Sequence, residues 1–100
     1  MIVTTNLDGT KLTVTAEGKL GTTSAPELEN AVKNNIKDVT ELIFDFEKLE
    51  YMASAGLRVL LSAAKVMKKQ GSMKIINVTE PVMDVFTFTG MADVMDIEKL

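Results

Sequence analysis

The chain has 100 residues, 46% of them apolar and 25% charged, which is the composition of one compact globular domain with one core. Its formal net charge of −3 argues against nucleic acid and membrane surfaces as partners, because both carry dense negative charge. The chain has no cysteine and no histidine, which excludes disulfides, thiolate metal sites and catalytic dyads built on imidazole. The carboxylates Asp45 and Glu47 have no further converging ligands in the sequence, so no metal site is expected, and no cofactor is expected either.

The first predicted element is a β-hairpin. Residues 11–17 alternate apolar and polar side chains with the period of two that is typical of a half-buried strand. A β-prone stretch, residues 2–6, precedes them, and the intervening Asp8-Gly9 is a strong signal for a tight turn. Gly18 and Gly21 then interrupt the second strand.

A helix and a central strand are predicted next. Ser24, Pro26 and Glu27 have the spacing of a capping box with proline in the first turn, which indicates a helix start. The apolar stripe that follows runs to residue 37 or 38. Residues 42–46 form a short, dense β-type run, which is typical of a strand covered by helices on at least one face.

The second half of the chain continues this alternation. Residues 57–67 carry a wide apolar arc that predicts a deeply buried helix, and Gly71 marks its end. Residues 73–78 are predicted as a strand. Thr79-Glu80-Pro81 predicts the start of a third helix that closes at Gly90, before a last apolar segment.

Together these elements predict an α/β fold. A mixed sheet of four to five strands, opening with the hairpin, would pack against three to four helices, because parallel neighbouring strands need crossovers of about this length. Phe86 and Phe88 are both expected in the core.

The densest functional signal is the segment Tyr51-Met52-Ala53-Ser54-Ala55-Gly56-Leu57, where a predicted loop enters the most apolar helix. Ser54 falls at the expected N-cap, where its hydroxyl would accept a hydrogen bond from a helical N–H. Ala55 and Gly56 leave the first turn almost bare, and a helix N-terminus is favourable for an anion. A phosphate on Ser54, carrying about −1.5 to −2 charges, would therefore be tolerated there and would alter any partner surface.

Residues 49–61 closely resemble the central motif of STAS domains, specifically of the bacterial anti-sigma factor antagonists. The likeness extends over nearly the whole chain, through the opening hairpin, the turn at Gly18, the helix at Ser24 and the sequence Phe88-Thr89-Gly90-Met91. The resemblance implies a single STAS-like domain over residues 1–100. Aligned on Gly56 and the following leucine, the family's phosphorylated serine corresponds to Ser54.

The same resemblance implies a function. A member of this family binds an anti-sigma factor that has serine kinase activity, and thereby releases a sigma factor. Phosphorylation of Ser54 by that kinase would switch the protein off, and a serine/threonine phosphatase would restore it. Ala53 and Gly21 depart from the family pattern, which usually has aspartates at these places, so phosphorylation would be less efficient while repulsion of an attached phosphate would fall.

The expected partner-binding surface combines the loop around Ser54 with the turn before the first helix. Tyr51 and Met52 are candidate contacts, because aromatic residues and methionine are enriched at interfaces, although core packing explains them equally well. Arg58 would suit a phosphate or a partner carboxylate, and a helix cap would also explain the hydroxyls near Ser24. The expected set is Gly21, Thr22, Thr23, Tyr51, Met52, Ala53, Ser54, Ala55, Gly56 and Arg58.

Two other functional classes remain as alternatives. One is a phosphorylation-independent STAS interaction module in another partner-switching or envelope-associated pathway, where Ser54 is only a cap. The other is an enzyme with Ser54 as nucleophile, which is disfavoured because there is no histidine base and Leu57 occupies the position of a Ser-x-x-Lys lysine. No signal peptide or long apolar run is present, so a cytoplasmic protein is expected. The missing histidine base favours a regulatory protein over an enzyme.

Overall fold

The predicted opening hairpin forms the first two strands of a six-stranded sheet in the computed structural model, which describes residues 1–100. The chain then alternates helices and strands. A short 3-10 helix, Met91–Asp93, precedes the last strand. The elements are β1 (Ile2–Asp8), β2 (Lys11–Leu20), α1 (Ala25–Lys33), β3 (Glu41–Asp45), β4 (Leu49–Met52), α2 (Ser54–Gln70), β5 (Ser72–Val78), α3 (Glu80–Thr89) and β6 (Ile97–Lys99).

After the hairpin, strands β3, β5 and β6 are added one after another towards the same side of the sheet. Its order is β1-β2-β3-β5-β6, and β4 pairs with the end of β2 outside this path. β1 is antiparallel to β2, whereas all other pairs are parallel. Crossovers between parallel strands are almost always right-handed, so successive steps in one direction place the helices on the same face of the sheet. The predicted mixed α/β fold is thus confirmed.

Two short strands bring the sheet to six strands, one more than the upper end of the expected range. β4 covers four residues of the predicted loop and pairs only with Gly18, Lys19 and Leu20. β6 has three residues and joins the sheet edge beside β5. Strands this short carry too few residues for a pattern of alternation, so tertiary pairing alone defines them.

Helix α1 is shorter than its apolar stripe predicts. It ends at Lys33 rather than at residue 37 or 38. Asn35 follows the helix end and donates a hydrogen bond from its Nδ2 to the carbonyl of Ala31 at 2.7 Å, and Asp38 takes a left-handed backbone with φ 65°. Asparagine side chains compete with helical backbone hydrogen bonds, which explains the early end.

The capping box predicted before α1 does not form. Ser24 is the N-cap residue, but its side chain makes no hydrogen bond to the first turn of the helix. Its Oγ accepts a hydrogen bond from the N–H of Gly21 at 2.9 Å and donates one to the carbonyl of Lys19 at 2.8 Å. Ser24 therefore closes the turn between β2 and α1 instead of capping the helix.

One continuous apolar core lies between the helices and the sheet. Phe44 and Phe46 sit at its centre with ring centroids 5.9 Å apart. Val82 and Phe86, one turn apart on α3, are fully buried, as expected for one helical face. The prediction that Phe88 also lies in the core is wrong, because it falls on the opposite side of α3 and is 93% exposed. None of the helices combines the length and the apolar composition of a membrane-spanning segment.

An ion pair contributes to holding β6 against β5. Lys74 Nζ lies 3.1 Å from Glu98 Oε2. The hydrogen bond to Glu98 and its negative charge raise the pKa of Lys74. Because the pKa is raised in the folded protein, this contribution is present at neutral pH and is lost as the pH rises through the alkaline lysine range.

Two adjacent leucines of α2 provide a test of the core. Leu60 is fully buried and Leu61 only partly so. We expect Leu60→Ala to lower the free energy of unfolding by about 2–5 kcal/mol, because it leaves a cavity that the sheet cannot fill. Leu61→Ala, the matched control, should cost about 1–2 kcal/mol. Urea denaturation followed by circular dichroism measures both, and equal losses would contradict this assignment of the buried face.

Candidate functional site

Ser54 is the first residue of α2 and not its N-cap, so the expected capping role is wrong. Ala53 is the N-cap, with an extended backbone at φ −95° and ψ 171°. The carbonyl of Ala53 accepts hydrogen bonds from the N–H groups of Gly56 at 2.9 Å and Leu57 at 3.4 Å. The helix therefore begins by backbone hydrogen bonding alone, and the exposed Ser54 hydroxyl is left out of helix capping.

Pairing of β4 with β2 determines the position of this helix start. The two strands are parallel and end together, with Leu20 opposite Met52. One residue further on, the N–H of Ala53 donates a hydrogen bond to the carbonyl of Leu20 at 2.8 Å. Because parallel strands have their carboxyl ends at one edge, the residues that follow each strand come together there.

Gly56 allows α2 to approach these strand ends closely. A Cβ atom at this position would lie 2.7 Å from Leu20 Cδ2 and 3.0 Å from Met52 Cγ, and both neighbours are buried. Only a residue without a side chain fits between the helix and the strands at this distance. Gly56 is thus a packing residue beneath the surface.

The turn after β2 forms the second part of the site. Ser24 closes this turn on Gly21, and the N–H of Ala25 donates to the carbonyl of Gly21 at 2.8 Å. Thr22 and Thr23 between them are exposed. Their hydroxyls are available at the same edge of the sheet as Ser54.

Most of the residues expected to bind a partner reach this edge, but two are inaccessible. Met52 and Gly56 are buried, so they support the surface from below and have no side-chain surface to offer. We define the Ser54 surface by its accessible members, which are Gly21, Thr22, Thr23, Tyr51, Ala53, Ser54, Ala55 and Arg58. Tyr51 is 52% exposed and is the large apolar side chain of this group.

The Ser54 surface has few charges of its own. The first turn of α2 contains no acidic residue. Arg58 follows Ser54 by four positions, which places both on one side of the helix, and it is in neither of the two salt bridges. The N–H groups of Ser54 and Ala55 have no backbone acceptor.

No group of three or more potential metal ligands converges anywhere in the structure.

No sequence pattern in residues 49–52 predicts strand β4. Its buried residues, Leu49 and Met52, are three positions apart, whereas a strand with one buried face has a period of two. Only the pairing with the end of β2 identifies these residues as a strand, and that contact is between distant parts of the chain.

The chain matches the STAS domain family over residues 1–99. It is 33% identical over 85 residues to the anti-sigma-B factor antagonist of Bacillus subtilis (strain 168), covering 84% of this chain and 78% of that protein. Among solved structures, an anti-sigma factor antagonist from Mycobacterium paratuberculosis superposes with a TM-score of 0.89 at 18% identity, covering 99% of this chain and 86% of that one.

A further similar structure is the anti-sigma factor antagonist SpoIIAA in its unphosphorylated form. It superposes with a TM-score of 0.83 at 21% identity, covering 96% of this chain and 87% of that chain. SpoIIAA from Bacillus has also been solved in its phosphorylated form, which gives a TM-score of 0.75 at 20% identity and coverages of 96% and 90%. At these identities the likeness establishes the shared fold.

Substitution of Gly56 tests the close approach beneath the surface. We expect Gly56→Ala to lower the free energy of unfolding by about 1–3 kcal/mol, because the new Cβ overlaps buried side chains. Gly21→Ala is the matched control, since a Cβ there meets nothing within 4 Å. Urea denaturation measures the difference. A Gly56→Ala protein as stable as the Gly21→Ala protein would show that α2 does not depend on this contact.

Proposed function

The chain belongs to the STAS domain family, and on that premise we propose that it is an anti-sigma factor antagonist that acts by binding rather than by catalysis. Its partner would be an anti-sigma factor with serine kinase activity, so that binding releases a sigma factor. That kinase would phosphorylate Ser54 and end the interaction. A serine/threonine phosphatase would return the protein to its binding form, with all steps in the cytoplasm.

The observation that carries this proposal is the state of Ser54. It is exposed at the start of α2, and its hydroxyl takes no part in capping. The resemblance of residues 49–61 to the STAS motif aligns Ser54 with the family's phosphorylated serine. A kinase therefore meets a free hydroxyl whose modification breaks no capping bond. The SpoIIAA structures, solved in unphosphorylated and phosphorylated forms, support a role for phosphorylation in proteins of this fold.

Phosphorylation of Ser54 would make the Ser54 surface more negative. A phosphate adds about −1.5 to −2 charges and three acceptor oxygens beside the two N–H groups that have no backbone acceptor. Arg58, one turn along the same side of α2, is the cation placed to pair with it. The Ser54 surface, which is uncharged apart from Arg58, becomes anionic on phosphorylation. A partner that binds the unphosphorylated surface is then repelled by the phosphorylated one.

Ala53 and Gly21 make this switch differ from the family pattern. With no carboxylate next to Ser54, an attached phosphate meets no like charge in the first turn of α2. A kinase also finds no acidic side chain there to orient the serine. This observation favours one alternative function, a STAS interaction module that binds its partner whether or not Ser54 is modified.

Intact mass spectrometry separates the two functions. We expect incubation with the partner anti-sigma factor kinase and ATP to add one phosphate to the wild-type protein and none to Ser54→Ala. Ser62→Ala is the matched control, because Ser62 is another exposed serine on α2. Unmodified wild-type protein that still elutes in a complex with the kinase on size exclusion would support the phosphorylation-independent module instead.

Affinity measurements test how charge controls binding. We expect Ser54→Asp and Arg58→Ala each to weaken binding to the anti-sigma factor about tenfold, which corresponds to about 1.4 kcal/mol. Lys65→Ala, which removes an exposed cation from the same helix away from Ser54, is the control and should bind as wild type does. Isothermal titration calorimetry gives the dissociation constants. Unchanged affinity for both variants would place the partner on another surface.

A further inference from the structure

The outer edge of the sheet at β1 is open. β1 pairs with β2 on one side, and no strand pairs with its other side. The pairing with β2 is regular over all seven residues of β1, without a bulge. Proteins usually protect such an edge with lysine, proline, a bulge or a short strand, yet the only charged residue of β1 is Asp8 at its end.

The opposite edge of the sheet is protected in the usual way. β6 is three residues long, two of them charged, and its register with β5 is irregular. The contrast makes the unprotected edge at β1 a specific feature of one side of the molecule. The exposed apolar side chains of Ile2 and Leu7, 61% and 53% accessible, lie on this same strand.

The hairpin turn determines which backbone groups face outward. Gly9 and Thr10 form a two-residue turn between Asp8 and Lys11, and Gly9 has φ 62°. A two-residue turn closes on a hydrogen-bonded pair, and hydrogen-bonded pairs alternate along an antiparallel ladder. Ile2, Thr4, Asn6 and Asp8 therefore bond to β2. The N–H and C=O groups of Val3, Thr5 and Leu7 point away from the sheet.

We propose that β1 is the contact of a homodimer, in which two copies pair through antiparallel β1 strands with Thr5 opposite Thr5 of the partner subunit. Within β1 this register pairs all three outward-facing residues, each pair exchanging two hydrogen bonds. Val3 then lies opposite Leu7 of the partner subunit. Both residues face the helical side of the sheet, because they are the cross-strand neighbours of Ala16 and Leu12, so the exposed leucine gains an apolar neighbour.

The chemistry of β1 favours a second copy over a different partner. The strand is complementary to itself in this register, since every outward-facing residue meets another one, and no side chain of like charge is placed opposite. Pairing through one strand buries less than a standard interface, so the association is weak and concentration-dependent. Each copy carries a net charge of −3, so added salt strengthens the dimer.

Sedimentation equilibrium tests the dimer with the purified chain alone. From about 10 μM to about 1 mM, we expect the mean mass to rise from one chain of 10.9 kDa towards two. Thr5→Pro removes an outward-facing N–H and should abolish the rise without disturbing the bonds to β2. Thr5→Lys is the second variant and should do the same by charge repulsion. Thr87→Lys, an identical change on the exposed face of α3, is the control and should dimerise like the wild type.

Amide hydrogen exchange measured by NMR gives an independent readout. In dilute protein, the amides of Thr4 and Asn6 should be protected and those of Val3, Thr5 and Leu7 should exchange fast. At high concentration the outward-facing three should become several-fold slower. A wild-type protein of constant mass, or a Thr5→Pro protein that is folded and dimerises equally well, would overturn the proposal.

Discussion

The Ser54 surface depends on one close contact between two strand ends and the helix that follows them. The N–H of Ala53 donates to the carbonyl of Leu20 at 2.8 Å, and Gly56 packs directly on the Leu20 side chain. β2 continues into the turn that carries Thr22 and Thr23, while β4 continues into Ser54. This contact therefore holds two segments that are distant in sequence side by side at the carboxyl ends of β2 and β4. A larger residue at position 56 would separate them.

Much of the architecture could be predicted from the sequence, because periodicity and turn chemistry record it locally. The alternation in β2 and the Asp8-Gly9 turn indicated the hairpin, and the run of apolar residues in β3 indicated a strand buried in the sheet. The apolar arc of residues 57–67 predicted a helix, and its end at Gly71 is confirmed. The predicted deep burial is wrong, because only one face of α2 is buried and Val66 is 40% exposed. The resemblance to STAS domains then indicated Ser54 as the candidate phosphorylation site.

The features that escaped prediction depend on tertiary contacts or on competition between local hydrogen bonds. β4 is a strand only because the end of β2 lies beside it. Ser24 has the sequence of a capping box, yet its hydroxyl bonds to Gly21 and Lys19, because the tight turn brings them nearer than the helix. Phe88 was expected in the core from its apolar character, but its helical position points it to solvent. Composition alone does not distinguish these outcomes.

The hydroxyl of Ser54 lies on the surface and takes no part in the hydrogen bonds that cap the start of α2. Many serines at helix starts hold the first turn in place, and changing them alters stability and surface chemistry at once. Here the two properties are uncoupled, since the carbonyl of Ala53 holds the first turn by itself. The proposed phosphorylation of Ser54 would therefore change the charge of the Ser54 surface while the fraction of folded protein stays constant. A partner would respond to that charge and not to the amount of native protein.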